Sequence, residues 1–117
     1  MLSPGPASEI FLAAGATDLR KSFDTLTALV RQRLAKDPLS GQFFVFCNGR
    51  RNRVKILFWD RTGFWVCAKR LERGTFDWPA ATEKRTLSLQ REELAILLGG
   101  LEWQGMKRRA WYERAAV

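Results

Sequence analysis

The stretch from Phe43 to Trp78 constrains this chain more than any other. Its apolar residues are mostly aromatic or β-branched: Phe-Phe-Val-Phe from Phe43, then Val54, Ile56, Leu57, Phe58 and Trp59, then Phe64, Trp65 and Val66. Such side chains suit pleated, half-buried strands. Turn signals separate the runs. Asn48-Gly49 is the strongest of them and continues through Arg50-Arg51-Asn52, while Asp60-Arg61-Thr62-Gly63 turns the chain back. Three short runs joined by short turns predict an antiparallel meander.

The charges among those strands are almost all positive. Residues 41–75 hold eight Lys or Arg against two acids, which is +6 of the formal +8. With a sequence pI of about 10.3, the expected partner is a polyanion or an acidic surface. The chain has 117 residues, 46% of them hydrophobic, with eight Phe and five Trp. That is enough apolar material for one domain with its own core.

The other elements follow from periodicity. After a lead-in with Pro4, Gly5 and Pro6, Glu9–Ala13 reads as a short strand ended by Gly15. Thr17 is placed to cap a helix with Asp18 in its first turn. Leu19, Phe23, Leu26, Val30 and Leu34 form one apolar stripe, which predicts a helix to about Lys36, stopped by Asp37-Pro38. Arg20, Asp24 and Arg31 fall on its other face. The run Phe43–Cys47 is apolar throughout and so buried on both faces. In the next strand Val54, Ile56 and Phe58 alternate with Lys55, Leu57 and Trp59. In the following one Phe64, Val66 and Ala68 alternate with Trp65, Cys67 and Lys69. Each strand thus has a wholly apolar face, expected against the helix, and a mixed face of aromatic and cationic groups. Phe76 and Trp78 continue the sheet to Pro79. Thr86-Leu87 makes a last short strand, and Ser88 caps a second helix through Leu94, Leu97, Leu98 and Leu101. The fold class is α+β: a small antiparallel meander packed by an N-terminal amphipathic helix, with a short C-terminal helix. Residues 1–104 form a single domain and 105–117 a basic, flexible tail.

The inventory of reactive groups is short. There is no histidine, which removes the commonest general base and most transition-metal sites. Cys47 and Cys67 lie inside strands and read as small buried hydrophobes; two cysteines without histidine make no ordinary zinc site. No phosphate loop, dinucleotide fingerprint or nucleophile elbow occurs. A magnesium nuclease needs converging carboxylates, and Asp18, Asp24, Asp60 and Glu72 are badly spaced for that. Catalytic, cofactor and metal sites are therefore expected to be absent. No run approaches a membrane span and the N-terminus lacks a signal-peptide pattern, so the expected location is reducing, intracellular and cytoplasmic.

The basic, aromatic sheet is the better lead. Arg50, Arg51, Arg53 and Lys55, joined by Lys69, Arg70 and Arg73, are candidate phosphate contacts, as are Lys107, Arg108 and Arg109 in the tail. Trp59, Trp65 and Trp78 are candidates for stacking on unpaired bases or for anchoring a protein interface. The plain alternatives are solvated turns for the cations and core packing for the aromatics.

Several motifs lie in a fixed order along the chain. Thr17-Asp18-Leu19-Arg20-Lys21-Ser22-Phe23-Asp24 precedes Asp37-Pro38-Leu39-Ser40-Gly41 with Phe44-Val45-Phe46. Arg51-Asn52-Arg53-Val54-Lys55-Ile56-Leu57-Phe58-Trp59-Asp60 follows, then Lys69-Arg70-Leu71-Glu72-Arg73-Gly74-Thr75-Phe76-Asp77-Trp78-Pro79, and the series closes with Leu94 to Trp103. Over roughly residues 9–104 this resembles the small TnpB-type accessory proteins, second open reading frame products, of the insertion-sequence-66 family of bacterial transposable elements. They are distinct from the larger RNA-guided nuclease that shares the name TnpB. Ser22, where glycine is frequent, and Cys47 are the departures from the pattern. The resemblance implies a non-catalytic role in DNA transposition beside a separate transposase that cuts and joins DNA, and it supplies no catalytic residues. It implies two kinds of partner: DNA at the element ends, bound through the basic sheet and turn, or the transposase itself, with the chain a protein connector or a self-associating unit. Neither the preferred nucleic acid nor the oligomeric state follows from it.

Overall fold

The computed structural model describes residues 9–20, 22–81 and 84–99. Seven elements follow one another: β1 (Ile10–Ala13), α1 (Phe23–Gln32), β2 (Phe43–Cys47), β3 (Arg53–Trp59), β4 (Phe64–Arg70), β5 (Thr86–Leu89) and α2 (Arg91–Leu98). They build an α+β fold on one five-stranded sheet of order β4-β3-β2-β1-β5. β2, β3 and β4 form the expected antiparallel meander. β1 extends it by lying parallel to β2, and β5 closes the far side antiparallel to β1. Parallel neighbours need a long crossover, which α1 and its flanking loops provide. The sheet is therefore mixed, and β1 and β2 are buried at every residue.

Each face of the sheet carries its own core. On one side α1 lays Leu26 and Val30, with Leu19 before it and Leu34 after it, over Phe11, Ala13, Phe44, Phe46 and Leu57. On the other, α2 and the connection after β4 bring Leu94, Leu97, Phe76 and Trp78 over Ile10, Leu12, Phe43, Val45, Val54 and Phe58. Phe43 and Phe58 stack with ring centroids 4.5 Å apart, and Phe58 and Trp65 stack at 6.3 Å, so an aromatic ladder crosses β2, β3 and β4 on this side.

Register overturns the expected division into an apolar and a mixed face. Leu57 pairs with Val66, and Lys55 with Ala68, while Ile56 pairs with Cys67 and Phe58 with Trp65. The apolar face of β3 thus shares a side with the mixed face of β4, and the reverse holds on the other side. α1 covers the side that carries Lys55, Leu57, Phe64 and Val66.

Helix boundaries also differ from those read off the periodicity. Thr17 does not cap α1: its N–H donates to the Cys47 carbonyl at 2.8 Å, and its side chain is buried. The Asp18 carboxylate accepts the Arg20 N–H at 3.0 Å. That local bond competes with helix formation, and α1 begins only at Phe23. At its other end Ala35 is left-handed, with φ +55°, and the Lys36 N–H reaches back to the Val30 carbonyl at 3.0 Å. The chain leaves the helix before Asp37-Pro38 is reached. Ser88 does not cap α2, because it pairs with Phe11 inside β5. Gln90 is the cap, with Glu93 accepting the Gln90 N–H at 2.8 Å in a capping box. Phe76 and Trp78 are not in a strand; they are buried from a loop tied down where the Phe76 N–H donates to the Arg51 carbonyl at 2.6 Å. Leu101 and the tail lie outside the described residues. Among the described residues no helix is long and apolar enough to cross a membrane.

Candidate nucleic-acid interface

Because β1 and β2 are parallel, both end at the same rim of the sheet as the start of β3 and the end of β4. Two loops meet there. One is Ala14–Arg20 after β1; the other is Asn48–Asn52 between β2 and β3. Asn48 organises the second. Its Oδ1 accepts the N–H groups of Asn52 and Arg53, each at 3.0 Å, and its Nδ2 donates to the Asn52 side chain at 2.8 Å. The left-handed residue in this loop is Arg51, φ +58°, not Gly49. The carbonyls of Arg51 and Asn52 accept the N–H groups of Phe76 and Leu71, so the segment after β4 pins the loop from outside.

The first loop is held just as firmly. The Arg33 guanidinium donates to the Ala14 carbonyl at 2.7 Å and to the Ala16 carbonyl and Thr17 hydroxyl at 3.3 Å. Gly15, at φ +78°, sits where an added Cβ would lie 2.8 Å from the Ala81 side chain, so only glycine fits. The Trp78 indole N–H donates to the Ala13 carbonyl at 2.9 Å.

Between the loops lies a cleft of about 630 Å³, lined by Arg20, Arg50, Arg53 and Lys55 with Thr17, Asp18, Asn48 and Asn52. A second cleft of about 320 Å³ adjoins it through Arg53 and Lys55 and adds Lys69, Arg70 and Glu72. Arg53 and Arg70 are direct cross-strand partners, an arrangement that like charges disfavour. Arg70 is relieved by Glu72 at 2.9 Å, and Asp18 pairs with Arg20 at 2.7 Å. The Lys55 ammonium donates to the Leu19 carbonyl at 2.8 Å, fixing it at the cleft floor, and Lys69 donates to the Leu98 carbonyl at 2.6 Å, where the negative end of α2 favours a cation. Among the described residues, the Arg50 and Arg53 side chains have no hydrogen bond or ion pair.

The structure therefore gathers Arg50, Arg53, Lys55 and Arg70, turns the Lys69 ammonium to the α2-covered side, and leaves Arg51 and Arg73 exposed outside the cleft linings. Lys107, Arg108 and Arg109 lie outside the described residues. Arg20 is the cation that periodicity conceals, because the apolar stripe assigns it to the solvent face of a helix. The Asp18-Leu19-Arg20 spacing was the available signal. Of the tryptophans, Trp65 is 47% exposed, Trp59 is half-buried against Phe64, and Trp78 is spent inside the core at 6% exposure. Trp78 presents no face on which a base or a partner can stack.

Of the candidate acids, Asp18 and Glu72 are ion-paired and Asp60 is engaged in its own turn. Asp60 accepts the N–H groups of Thr62 and Gly63, the Thr62 hydroxyl and the Trp65 indole N–H. The Thr62 N–H above all, with the indole next, holds its carboxyl down at about 2. Burial pushes the Cys47 thiol up to about 11, against a smaller opposing pull from Arg51, so the thiol is protonated at neutral pH and is a poor nucleophile. No cluster of three or more His, Cys, Asp or Glu is placed to hold a metal ion among the described residues.

Comparison with known proteins agrees with the motifs. The chain is similar to an uncharacterized protein, y4jC, of Sinorhizobium fredii, 34% identical over 93% of this chain and 92% of the relative. A second uncharacterized protein of that bacterium, y4hO, is 35% identical over 89% of this chain and 90% of its own length. No solved structure matches. The family model for IS66 Orf2-like proteins matches residues 8–108, nearly the whole chain. The chain belongs to that family, the TnpB-type accessory proteins of insertion-sequence transposition.

Proposed function

We propose that this accessory protein acts in the cytoplasm without catalysing a reaction, and that it binds DNA through the paired basic clefts while assisting the separate transposase at the element ends. One observation carries the reading: Arg20, Arg50, Arg53, Lys55 and Arg70 line adjoining open clefts whose two acids, Asp18 and Glu72, pair with Arg20 and Arg70 and leave Arg50, Arg53 and Lys55 in excess. Cations so placed neutralise phosphates and release counterions, giving affinity more than base choice.

The test compares the chain with an Arg50→Glu, Arg53→Glu variant on element-end duplex, random duplex and single strand across a salt series. Neither arginine has an intramolecular partner among the described residues, so the variant is expected to fold normally by circular dichroism. Two lost phosphate contacts flatten the slope of log affinity against log salt by about 1.8 on duplex DNA. An unchanged slope removes the clefts from the mechanism.

A second reading has the chain as a connector to the transposase, supported by the 47% exposed Trp65. It predicts a transposase pull-down that survives nuclease, with no DNA shift by the isolated protein. Supercoiled DNA incubated with Mg²⁺ is expected to stay intact; nicking would overturn the non-catalytic assignment.

A further inference from the structure

β4 is a terminal strand of the sheet, and its outer edge is well defined. The Asp60 N–H donates to the Gly63 carbonyl and the Leu71 N–H to the Asn52 carbonyl. In the alternating pattern of an antiparallel ladder, these bonds make Trp65, Cys67 and Lys69 the β4 residues whose backbone groups face β3. Phe64, Val66, Ala68 and Arg70 direct their N–H and C=O groups outward, where no backbone partner meets them among the described residues. Natural edges are usually blunted by shortness, charged side chains, proline or a bulge, and β4 carries its two charges, Lys69 and Arg70, at one end only. β4 has seven residues, no proline and an unbroken register with β3. The opposite edge strand, β5, has four.

The order of residues along β4 is self-complementary. Reading outward from Cys67, Val66 mirrors Ala68, Trp65 mirrors Lys69, and Phe64 mirrors Arg70. An antiparallel copy centred on Cys67 would set each aromatic opposite a cation, on the same face, at the spacing where cross-strand pairs attract. Any other antiparallel register breaks that matching, and a parallel copy would set cation beside cation.

We infer that a second copy of this chain docks edge to edge on β4, antiparallel about Cys67, joining two five-stranded sheets into one. The outward groups of Phe64, Val66, Ala68 and Arg70 then exchange about eight backbone hydrogen bonds across the two-fold axis. The axis is perpendicular to the sheet, so the basic clefts of the two copies open on the same side. Their Arg70 residues stand about 20 Å apart along the strand direction, at about 3.4 Å per residue. The pairing rests on the strand edge alone and holds whether or not the clefts bind DNA.

The Cys67 pair supplies the readout. It is a non-hydrogen-bonded pair in this register, with Cα atoms about 4.5 Å apart, inside the range a disulfide spans. Diamide, which accepts the two electrons and two protons the thiols lose, is expected to cross-link the native chain into a dimer on a non-reducing gel. Cys67→Ala abolishes the cross-link and leaves the dimer. Sedimentation of the full chain at micromolar concentration is expected at twice 13.4 kDa. Ala68→Pro removes an N–H that β3 does not use and blocks the edge, so this variant sediments as a monomer. A native monomer, as when residues 100–117 or a foreign peptide occupy the edge, overturns the inference. So does a dimer whose Cys67 residues do not cross-link, or one that persists in a folded Ala68→Pro variant.

Discussion

Asn48 offers the sharpest test of how the cleft is held. Its side chain makes three hydrogen bonds that close the Asn48–Arg53 loop: two accepted from backbone N–H groups at 3.0 Å and one donated to Asn52 at 2.8 Å. All three are part-buried or at the rim, so water replaces some of what is lost. At about 0.5–1.5 kcal/mol net per bond, Asn48→Ala costs about 2–3 kcal/mol. A chain of 117 residues loses about 4 °C of melting temperature per kcal/mol, which gives a fall of about 8–12 °C. Asn48→Asp keeps both acceptor bonds and forfeits only the donor, so its loss should be about one third as large. Calorimetry and urea denaturation on the three proteins measure this directly. If Asn48→Ala shifts stability by under about 0.5 kcal/mol, the side chain does not organise the loop, and Arg50 and Arg53 are not held in place by it.

Two further outcomes follow from the backbone and from a single carboxylate. Ala35 is exposed at φ +55°, so Ala35→Gly relieves left-handed strain without loss of packing and is expected to stabilise by about 0.5–1 kcal/mol in urea melts; destabilisation would show that the strain is not there. Asp60 titrates near 2 when folded against an ordinary 3.8. The unfolded chain therefore binds more protons between these values, and the contribution of Asp60 to stability is present above about pH 4 and lost as pH falls toward 2. Asp60→Asn keeps an acceptor for the turn and should flatten the acid limb of stability against pH; an identical limb in the variant would refute the assignment.

What was legible in the residues was whatever a few neighbours decide. Phe43–Cys47, Val54–Trp59 and Phe64–Lys69 declared themselves as strands because each run is short, β-prone and bounded by a turn. Arg50, Arg53 and Lys55 were legible as a group because one loop and one strand start carry them. The parallel pairing of β1 with β2 spans about thirty residues and leaves no local mark. Arg20 was hidden because the stripe Leu19, Phe23, Leu26 reads as continuous helix, whereas the Asp18 carboxylate claims the Arg20 N–H first.

The faces of the sheet turned on a matter of parity. Strand alternation marks two faces on each strand but does not say which face of β3 joins which face of β4. That is fixed by the loop between them, and a change of one residue there would flip every β4 side chain to the other side. With Asp60 to Gly63 in the loop, Trp59 pairs with Phe64, so the apolar faces of the two strands fall on opposite sides. Each side of the β3–β4 hairpin then offers apolar groups to the core on its own side, Leu57 and Val66 to one and Phe58 to the other. The register of β2 with β3, which sets Lys55 opposite Phe46, puts Lys55 on the helix-covered side instead of on an open working surface. Its ammonium takes the Leu19 carbonyl, and the cleft opens where the helix stops covering the sheet, at the rim shared by Arg20, Arg50 and Arg53. The position of the basic cleft is thus set as much by the pairing of β2 with β3 as by the arginines that line it.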